Sequence, residues 1–347
     1  MKVGVSTHPI FAITTRGLEE VSAQELRELA HVQLEQVAYR RIMAQCDGSL
    51  APLLGLRTVD DVFLDLAHWL GIGRPRSVLA VLREQAMRLE LGAAAALCAE
   101  LRPVAQYPRF SVTANFVGKR NYSSEEIKFA LAEGIETSHG WQYREDDRNA
   151  DLNIRIFIEH EAAFVGMRLA KQALHERSYK NMHQPGSLKP PVAAAMLRLG
   201  QLHADQCVLD PFCGAGTILI EAALLGGQAS GGDHDPAALS FAQLNASTAA
   251  VDIGLQHWDA RQLPLDNSSI DCIVSNLPWG RQIVLDSALE QLYGLACAEM
   301  ERVLRPNGRT VLLSSLPELI RFPSLACQQQ IEISLFGQIA TIMVSHG

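Results

Sequence analysis

The second half of the chain alternates short apolar runs with longer amphipathic stretches. The apolar runs predict strands at 207–210, 228–233, 255–259, 271–275 and 309–315, and the stretches between them predict helices at 217–225, 236–250 and 287–304. Strands separated by helices pair in parallel, which indicates a doubly wound sheet. The last two apolar runs, 331–335 and 339–345, are joined by too few residues for a parallel crossover. They predict an antiparallel hairpin at the edge of the sheet.

The first part of the chain is less regular. Its patterns predict strands at 3–13, 61–69, 110–116, 152–159 and 163–169, and helices at 17–29, 125–138 and, as one or two helices, 76–101. Ser123 and Glu126 have the spacing of a capping box, which begins the helix at 125–138. Mixed strands and helices in this order indicate small α+β units. The polar, proline-bearing stretch 175–191 is interpreted as a linker.

Length and composition restrict the class of protein. A chain of 347 residues with 48% hydrophobic and 20% charged residues is expected to fold into two or three soluble domains. The most apolar stretch, 89–101, is interrupted by Glu90 and Glu100 and is shorter than the roughly 20 residues of a membrane span. The start of the chain lacks the pattern of a signal peptide, so a cytoplasmic location is expected. The 7 cysteines have no C-x-x-C spacing, so neither a disulfide framework nor a metal site is indicated.

Charge is distributed unevenly along the chain. Residues 1–200 carry 24 Lys and Arg against 23 Asp and Glu, whereas residues 201–347 carry 6 against 15. A polyanion is therefore expected to meet the first part of the chain, especially at 102–128 and 168–198, where bases outnumber acids. The alternative interpretation of these bases is that they are solvated helix faces.

A glycine-rich turn follows the first strand of the predicted sheet, where a doubly wound fold places its ligand. Gly214 and Gly216 would let the backbone approach a ligand, and Asp210 would bind the ligand or brace the loop. The turn is followed neither by the Lys-Ser/Thr of a phosphate loop nor by the third glycine of a dinucleotide fingerprint. Asp233 lies 23 residues beyond Asp210, a spacing suited to binding ribose hydroxyls.

These features favour a nucleoside ligand without a pyrophosphate, and S-adenosylmethionine (SAM) is such a ligand. Asp259, at the end of the third predicted strand, would reach the adenine amine. A strand-end cap or turn former is the alternative role for each of these acidic residues. The order and spacing of the set favour the cofactor site.

A second motif, Ser-Asn-Leu-Pro-Trp-Gly-Arg, ends the fourth predicted strand at 275–281. The side chain of Asn276 and the carbonyl of Leu277 can accept hydrogen bonds from an exocyclic amine, which would orient its lone pair toward a methyl donor. Pro278 would stiffen the turn, and Trp279 would stack on an unpaired or flipped base. The alternative is a turn capped by Asn276 beside a buried tryptophan.

Other classes of protein fit these residues less well. Methylation of cytosine C5 needs a cysteine nucleophile, and no cysteine follows Pro278. Methylation of an amine in DNA or protein shares the chemistry of Asn276 and is distinguished only by the N-terminal domains. A nicotinamide-dependent oxidoreductase is disfavoured by the glycine spacing. A catalytically silent RNA-binding protein stays as an alternative from a different class.

Three segments together resemble THUMP-domain RNA methyltransferases, most of all those that form N2-methylguanosine in tRNA. They are D-P-F-C-G-A-G-T at 210–217, N-L-P-W-G at 276–280, and the stretch from Arg177-Ser-Tyr to Gly-Ser-Leu-Lys-Pro-Pro-Val-Ala at 186–193. Weaker similarity lies at 17–20 and 118–122. Many amino-methyltransferases of this fold have the motif N/D-P-P-Y/F/W. In this chain, Leu277 stands where that motif has its first proline. The loop carbonyl survives that change, but the loop loses the stiffness that a proline gives.

The resemblance implies a Rossmann-like α/β methyltransferase sheet of the class I SAM-dependent type, preceded by α+β ferredoxin-like and THUMP domains. The expected boundaries are a ferredoxin-like part at 1–55, a THUMP domain at 56–170, a linker at 171–190 and the methyltransferase domain at 191–347. The substrate implied is guanine N2 near the tRNA acceptor stem, with rRNA or DNA as alternatives. Adenine N6 would present a similar amine. A monomer is the simplest expectation, although neither the oligomeric state nor the need for a partner protein follows from the sequence.

The resemblance also implies that residues 186–188 close over SAM. The expected cofactor-binding residues are Gly186, Ser187, Leu188, Asp210, Phe212, Gly214, Gly216, Thr217, Asp233, His234, Asp259, Ala260 and Asn276. The expected catalytic loop comprises Asn276, Leu277, Pro278 and Trp279. The expected contacts to RNA phosphates are Lys119, Arg120, Lys171, Arg177, Lys180 and Arg281.

Overall fold

In the computed structural model, which describes residues 6–184, 186–279, 287–335 and 337–347, the chain forms two units. The first contains the described residues of Met1–Ile13 together with Glu25–Leu56 and Asp60–Leu174. The second contains Thr14–Gln24, Arg57–Val59 and His175–Gly347. Helix α1 (Glu19–Arg27) continues from a segment of the second unit into the first. The boundaries expected at residues 55, 170 and 190 stay predictions.

The first unit is built on an eight-stranded sheet with the order β2-β3-β1-β4-β8-β7-β5-β6. Its strands are β1 (Thr7–Ile13), β2 (Val32–Ala38), β3 (Arg41–Asp47), β4 (Asp61–Leu70), β5 (Arg109–Phe116), β6 (Gln142–Tyr143), β7 (Leu152–Glu159) and β8 (Ala162–Arg168). Its other helices are α2 (Val78–Met87), α3 (Leu91–Leu101) and α4 (Ser124–His139), with 3-10 turns at Ala51–Gly55 and Asp147–Asn149.

The capping box predicted at the start of α4 is confirmed, because Ser123 and Glu126 bond each other's backbone amides. Gly140, in the left-handed conformation, ends the helix. The hairpin of β2 and β3 was not predicted. Its two-residue turn contains Tyr39 and Arg40, and Arg40 has a φ of 55°. Turns of this kind usually carry Asn or Gly, so the sequence gives no turn signal here.

The second unit is a seven-stranded sheet with the order β11-β10-β9-β12-β13-β15-β14. Its strands are β9 (Cys207–Asp210), β10 (Gln228–Asp233), β11 (Gly254–His257), β12 (Ile270–Asn276), β13 (Leu304–Ser314), β14 (Ala326–Leu335) and β15 (Gln338–His346). Its helices are α5 (Pro190–Leu199), α6 (Thr217–Leu224), α7 (Pro236–Ala249) and α8 (Ser287–Val303), with a 3-10 turn at Pro317–Leu319.

Strands β9 to β13 run parallel, whereas β15 is antiparallel to both β13 and β14. The predicted Rossmann-like sheet with a terminal antiparallel hairpin is therefore confirmed. Helix α5 begins at Pro190, the last residue of the expected linker, because proline is favoured in the first turn of a helix. One expectation is corrected: strand β11 ends at His257 and leaves Asp259 in the following loop.

The N-terminal segment Thr14–Gln24 packs within the second unit. Leu18 and Val21 are buried in the same core cluster as helices α5 and α6 and the end of β14. The backbone of Ser334 donates to the carbonyl of Arg16 at 3.1 Å. Gly17 has a φ of 94°, and a Cβ atom there would lie 2.0 Å from the carbonyl oxygen of Glu332. This close backbone approach requires glycine.

Membrane spans and metal clusters are both absent from the described residues. No described helix is long and apolar enough to cross a membrane. No described group of three or more His, Cys, Asp or Glu residues is arranged to hold a metal ion.

Candidate active site

The glycine-rich loop connects the end of β9 to the start of α6. Gly216 forms the N-cap of α6 in the left-handed conformation, with a φ of 78°. A Cβ atom at Gly216 would lie 2.9 Å from Cβ of Ala242, so this glycine is required by packing on α7 as well as by its backbone. Gly214 is also left-handed, with a φ of 51°, but the nearest atom to its Cβ position is Oε1 of Gln184 at 3.8 Å. Gly214 thus leaves space at the loop surface for a ligand to approach.

Two carboxylates brace this loop from neighbouring strand ends. Asp233 accepts the amide of Gly214 at 3.0 Å through one oxygen and the amide of Asp235 at 3.0 Å through the other. Asp210 accepts the amide of Phe212 at 3.1 Å and the hydroxyl of Ser275 at 2.6 Å. Burial raises the pKa of Asp210 to about 7, because a carboxylate loses its hydration there. Asp210 therefore braces the loop, and the cofactor contact expected for it stays a prediction.

Trp258 supports the same loop and was not predicted from the sequence. Its indole N–H donates to the carbonyl of Pro211 at 3.2 Å. The ring lies where a side chain on Gly232 would be, since a Cβ atom at that glycine would lie 2.5 Å from the ring. A buried tryptophan immediately before Asp259 was the available signal, because a buried indole usually finds an acceptor for its N–H.

Three further residues were expected to bind the cofactor, namely Asp259, His234 and Ala260, and the surroundings of each differ. Asp259 is exposed and accepts the amide and guanidinium of Arg261, whose hydrogen bonds lower the pKa of the carboxyl. The side chain of His234 is 86% exposed, and its carbonyl lies 3.0 Å from Nε2 of His257. Ala260 is buried. The roles expected for Asp259, His234 and Ala260 stay predictions.

The Asn-Leu-Pro-Trp loop begins at the end of β12. Nδ2 of Asn276 donates to the carbonyl of Gly186 at 3.3 Å, and Oδ1 accepts the indole N–H of Trp279 at 3.0 Å. The amide of Leu277 donates to the carbonyl of Leu313 at 2.9 Å. A proline could not make that bond, so the hydrogen bond to β13 fixes the loop where proline would otherwise do so.

Tyr293 of α8 holds the other side of this loop and was also missed. Its hydroxyl donates to the carbonyl of Pro278 at 2.9 Å and lies 2.8 Å from the hydroxyl of Ser314. Burial raises its pKa to about 12, so the phenol keeps its proton. Of the residues predicted in the second motif, Arg281 lies outside the described residues.

The segment before α5 approaches both loops. The amide of Ser187 donates to the carbonyl of Gln184 at 3.0 Å, and Leu188 packs into the core. A cavity of about 450 Å³ lies in this segment, and its lining residues are His175, Glu176, Arg177, Lys180, His183, Gln184, Gly186, Ser187, Leu188, Lys189 and Pro190. The hydroxyl oxygen of Ser187 is buried without a hydrogen-bond partner in the described structure. A buried hydroxyl of this kind fits a polar ligand that would bond to it.

Lys180 connects this segment to the glycine-rich loop. Its ammonium donates to the carbonyl of Leu188 and to the hydroxyl of Thr217, which lies 3.0 Å away. Burial lowers the pKa of Lys180 to about 8. Lys180 therefore bonds within the second unit, and its expected contact with RNA phosphate stays a prediction.

Glu221 of α6 is the centre of a buried polar cluster. Its side chain is 0% exposed, and one of its oxygens accepts Nε and Nη2 of Arg57 at 2.8 and 2.5 Å. The other oxygen accepts the hydroxyl of Tyr179 at 2.7 Å and Nε of Arg177 at 3.3 Å. Arg177 also donates to the carbonyl of Arg57 at 2.8 Å. A glutamate in an apolar helix was the signal for such a cluster, because a buried carboxylate requires partners.

Three basic residues of the first unit were predicted to contact RNA phosphates. Their surroundings differ. Lys119 is exposed. The guanidinium of Arg120 donates to the carbonyls of Ile72, Gly73 and His160 at 2.9, 3.0 and 2.6 Å. The ammonium of Lys171 donates to the carbonyl of Ala150. Lys119 therefore has the most accessible charge of the three, and all three RNA contacts stay predictions.

Comparisons with known proteins agree with this architecture. Residues 177–334 match the family described as RMKL-like methyltransferase domain, and residues 88–168 match the THUMP domain. The solved structure of TrmN from Thermus thermophilus superposes with a TM-score of 0.77, has 26% sequence identity, and is matched over 98% of this chain and 99% of its own.

Two curated relatives show the same similarity in sequence. The tRNA (guanine(6)-N2)-methyltransferase of Thermus thermophilus is 32% identical over 330 residues, which cover 92% of this chain and 91% of that protein. The tRNA (guanine(6)-N(2))-methyltransferase THUMP3 of Bos taurus is 30% identical over 223 residues, which cover 59% of this chain and 44% of that longer protein. The resemblance predicted from the motifs is confirmed, and the chain belongs to the family of THUMP-domain RNA methyltransferases.

Proposed function

We propose that this protein transfers a methyl group from SAM to the exocyclic N2 amine of a guanosine in tRNA. The observation that carries the proposal is the position of Asn276, whose amide lies at the end of β12 and contacts Gly186 of the segment that lines the cavity. The relatives named above as tRNA guanine-N2-methyltransferases support tRNA and the N2 atom. Their names specify guanosine 6, so we propose that position in the acceptor stem.

The cofactor end of the site would be formed by the glycine-rich loop. Gly214 leaves room for close approach, Asp233 orients the loop amide, and Ser187 offers a buried hydroxyl that needs a partner. We propose that Asp233 also binds ribose hydroxyls, and the position of Asp233 at the end of β10 supports this. When bound, SAM would supply an electrophilic methyl group. Phe212 and Thr217, which flank the loop, are proposed to border the same site.

The base end would be formed by the second loop. Oδ1 of Asn276 and the carbonyl of Leu277 would accept the two N–H bonds of the amine and direct the nitrogen lone pair at the methyl carbon. Pro278 would shape the turn, and the ring of Trp279 would border the base. Methyl transfer to a neutral amine depends mainly on this alignment. As the N–C bond formed, the S–C bond to the methyl group would break and its electron pair would stay on sulfur as a thioether, while the methylated amine would release one proton to water. No strong general base is required of the chain.

RNA capture would belong to the first unit, which contains the residues that match the THUMP domain. Lys119 is the proposed phosphate contact with the most accessible charge. Arg120, Lys171, Arg177, Lys180 and Arg281 were predicted for the same role. Because Arg177 and Lys180 already bond inside the second unit, we propose that they support RNA binding by fixing the segment that carries them. A tRNA substrate supports the expected cytoplasmic location.

The experiment that tests the proposal measures methyl transfer from labelled SAM to a tRNA transcript, followed by nucleoside digestion and mass analysis. We expect N2-methylguanosine with the native chain and about a 100-fold lower rate with Asn276→Ala, because a small misplacement of reacting atoms costs that much. Asn267→Ala is the matched control, since Asn267 is an exposed asparagine of the same unit. SAM binding without methylation of any guanosine would contradict the proposal, and transfer to ribosomal RNA or DNA alone would redirect it.

A further inference from the structure

The side-chain amide of Asn276 is held at both of its ends. Its nitrogen donates to the carbonyl of Gly186 at 3.3 Å, and its oxygen accepts the indole N–H of Trp279 at 3.0 Å. A rotation of the amide by 180° would place Nδ2 against the indole N–H and Oδ1 against the carbonyl of Gly186. Both contacts would then be repulsive. The two partners therefore select a single orientation of the amide.

This orientation leaves a defined hydrogen-bonding capacity at the site. An amide oxygen has two lone pairs, and the indole of Trp279 uses one of them. The second lone pair can accept an N–H from a base. A nucleobase with an oxygen or a C–H in place of the exocyclic amine has no hydrogen-bond donor for this second lone pair. The fixed amide of Asn276 therefore favours a base with an exocyclic amine.

We infer that Trp279 is a positioning residue whose indole N–H fixes Oδ1 of Asn276 toward the target amine and thereby contributes to base specificity. The inference rests on the function proposed above. The role is separate from stacking, because stacking uses the face of the ring and this bond uses its edge. Phenylalanine keeps the face but has no N–H, so the two roles can be separated by one substitution.

The test uses Trp279→Phe with two tRNA transcripts, one with guanosine and one with inosine at the position that the native enzyme methylates. Inosine is guanosine without the exocyclic amine. We expect the native enzyme to bind the guanosine transcript more tightly. We expect Trp279→Phe to lower this ratio and to lower kcat about tenfold, because only the longer bond to Gly186 then orients the amide. An unchanged ratio, or equal weakening toward both transcripts, would assign Trp279 to stacking alone and overturn the inference.

A double-mutant cycle with Asn276→Asp strengthens the test. The two oxygens of a carboxylate are equivalent, so rotation by 180° changes nothing and the orienting role disappears. We expect Trp279→Phe to lower kcat no more than about twofold in the aspartate background, against about tenfold in the native one. The same loss in both backgrounds would contradict the inference. Failure of the proposed function is recognised separately, because the native enzyme would then methylate no guanosine.

A measurement on the unsubstituted Trp279 remains informative if Trp279→Phe does not fold. The chain has 4 tryptophans, so a nitrogen-15 spectrum should show four indole N–H resonances. In Asn276→Ala, we expect one of them to move and to exchange faster with solvent, because its acceptor is gone. If no indole resonance responds to the loss of Asn276, the hydrogen bond is absent in solution and the inference fails.

Discussion

Arg57 and Glu221 form a hydrogen-bonded ion pair although they are 164 residues apart in the sequence. Glu221 is fully buried and lies on α6, the helix that begins at the glycine-rich loop. Arg177, which lines the cavity, and Tyr179 occupy its other oxygen. One carboxylate thus joins three separate stretches of the second unit.

Replacement of Glu221 by glutamine should strongly destabilise the second unit. The amide would face the guanidinium of Arg57 with an N–H, and two arginines would lose the negative charge of Glu221, which typically costs about 3 kcal/mol. For a unit of this size we expect a melting temperature lower by roughly 6 to 12 °C. Thermal unfolding followed by circular dichroism checks this.

Arg261→Ala is the control for Glu221→Gln. It breaks the pair with Asp259, whose side chains are 49% and 46% exposed. Exposed pairs of this kind contribute at most about 1 kcal/mol, so the melting temperature should change little. Equal shifts in the two variants would show that burial of the Glu221 cluster adds nothing to stability.

The titration of Asp210 should make stability depend on pH. Its folded-state pKa, raised by burial to about 7, lies above the ordinary aspartate value of 3.8, so the folded protein binds more protons between these values. Stability from this group is therefore fully present below about pH 4 and is lost as the pH rises through 7. Asp210→Asn keeps an acceptor for Ser275 and Phe212 but does not titrate.

We expect the native protein to lose roughly 2 to 3 kcal/mol relative to Asp210→Asn between pH 5 and about 8. Urea unfolding of both proteins at several pH values measures this difference, and the comparison cancels the groups that the two proteins share. A constant difference across the range would show that Asp210 has the same ionisation in the folded and unfolded states.

The two glycines of the cofactor loop should respond differently to alanine. Gly214→Ala introduces only left-handed strain of about 1 kcal/mol, whereas Gly216→Ala adds overlap with Ala242 and should cost about 1 to 3 kcal/mol more. Because the Cβ of Gly214→Ala would point into open space, we expect this variant to keep its fold and to bind SAM more weakly. Thermal unfolding and calorimetric titration with SAM separate these outcomes. A larger loss of stability in Gly214→Ala would contradict the packing described here.

The parts of the fold that the sequence predicts are those whose pattern is local. Strand-end motifs at Asp210 and Asn276 were recognisable because glycine, proline and carboxylate residues mark the turns at those ends. The hairpin of β2 and β3 was missed because Arg40 adopts a positive φ without the usual asparagine or glycine. The first five residues of β14 are exposed, so they show no apolar alternation that would predict a strand. Their pairing with β15 makes them part of the strand.

The parts of the site that the sequence did not predict depend on distant partners. A glutamate in an apolar helix indicates that a cationic partner is needed. No residue near Glu221 in the sequence identifies Arg57 as that partner. In the same way, Trp258 and Tyr293 act through carbonyls of Pro211 and Pro278, and backbone acceptors have no signature in the sequence. From the sequence, a basic residue such as Lys180 is expected to contact phosphate. In the fold, its ammonium instead donates to the carbonyl of Leu188 and the hydroxyl of Thr217.

The close approach of Gly17 to the backbone of Glu332 sets an order of events during synthesis. These residues are 315 positions apart, and a ribosome adding about 5 to 20 residues per second needs roughly 15 to 60 s to cover that interval. For that time, Leu18 and Val21 have been synthesised while β14, against which their segment will pack, is not yet complete. The time at which this segment packs on the sheet is thus set by the synthesis of β14 and not by the synthesis of the segment itself.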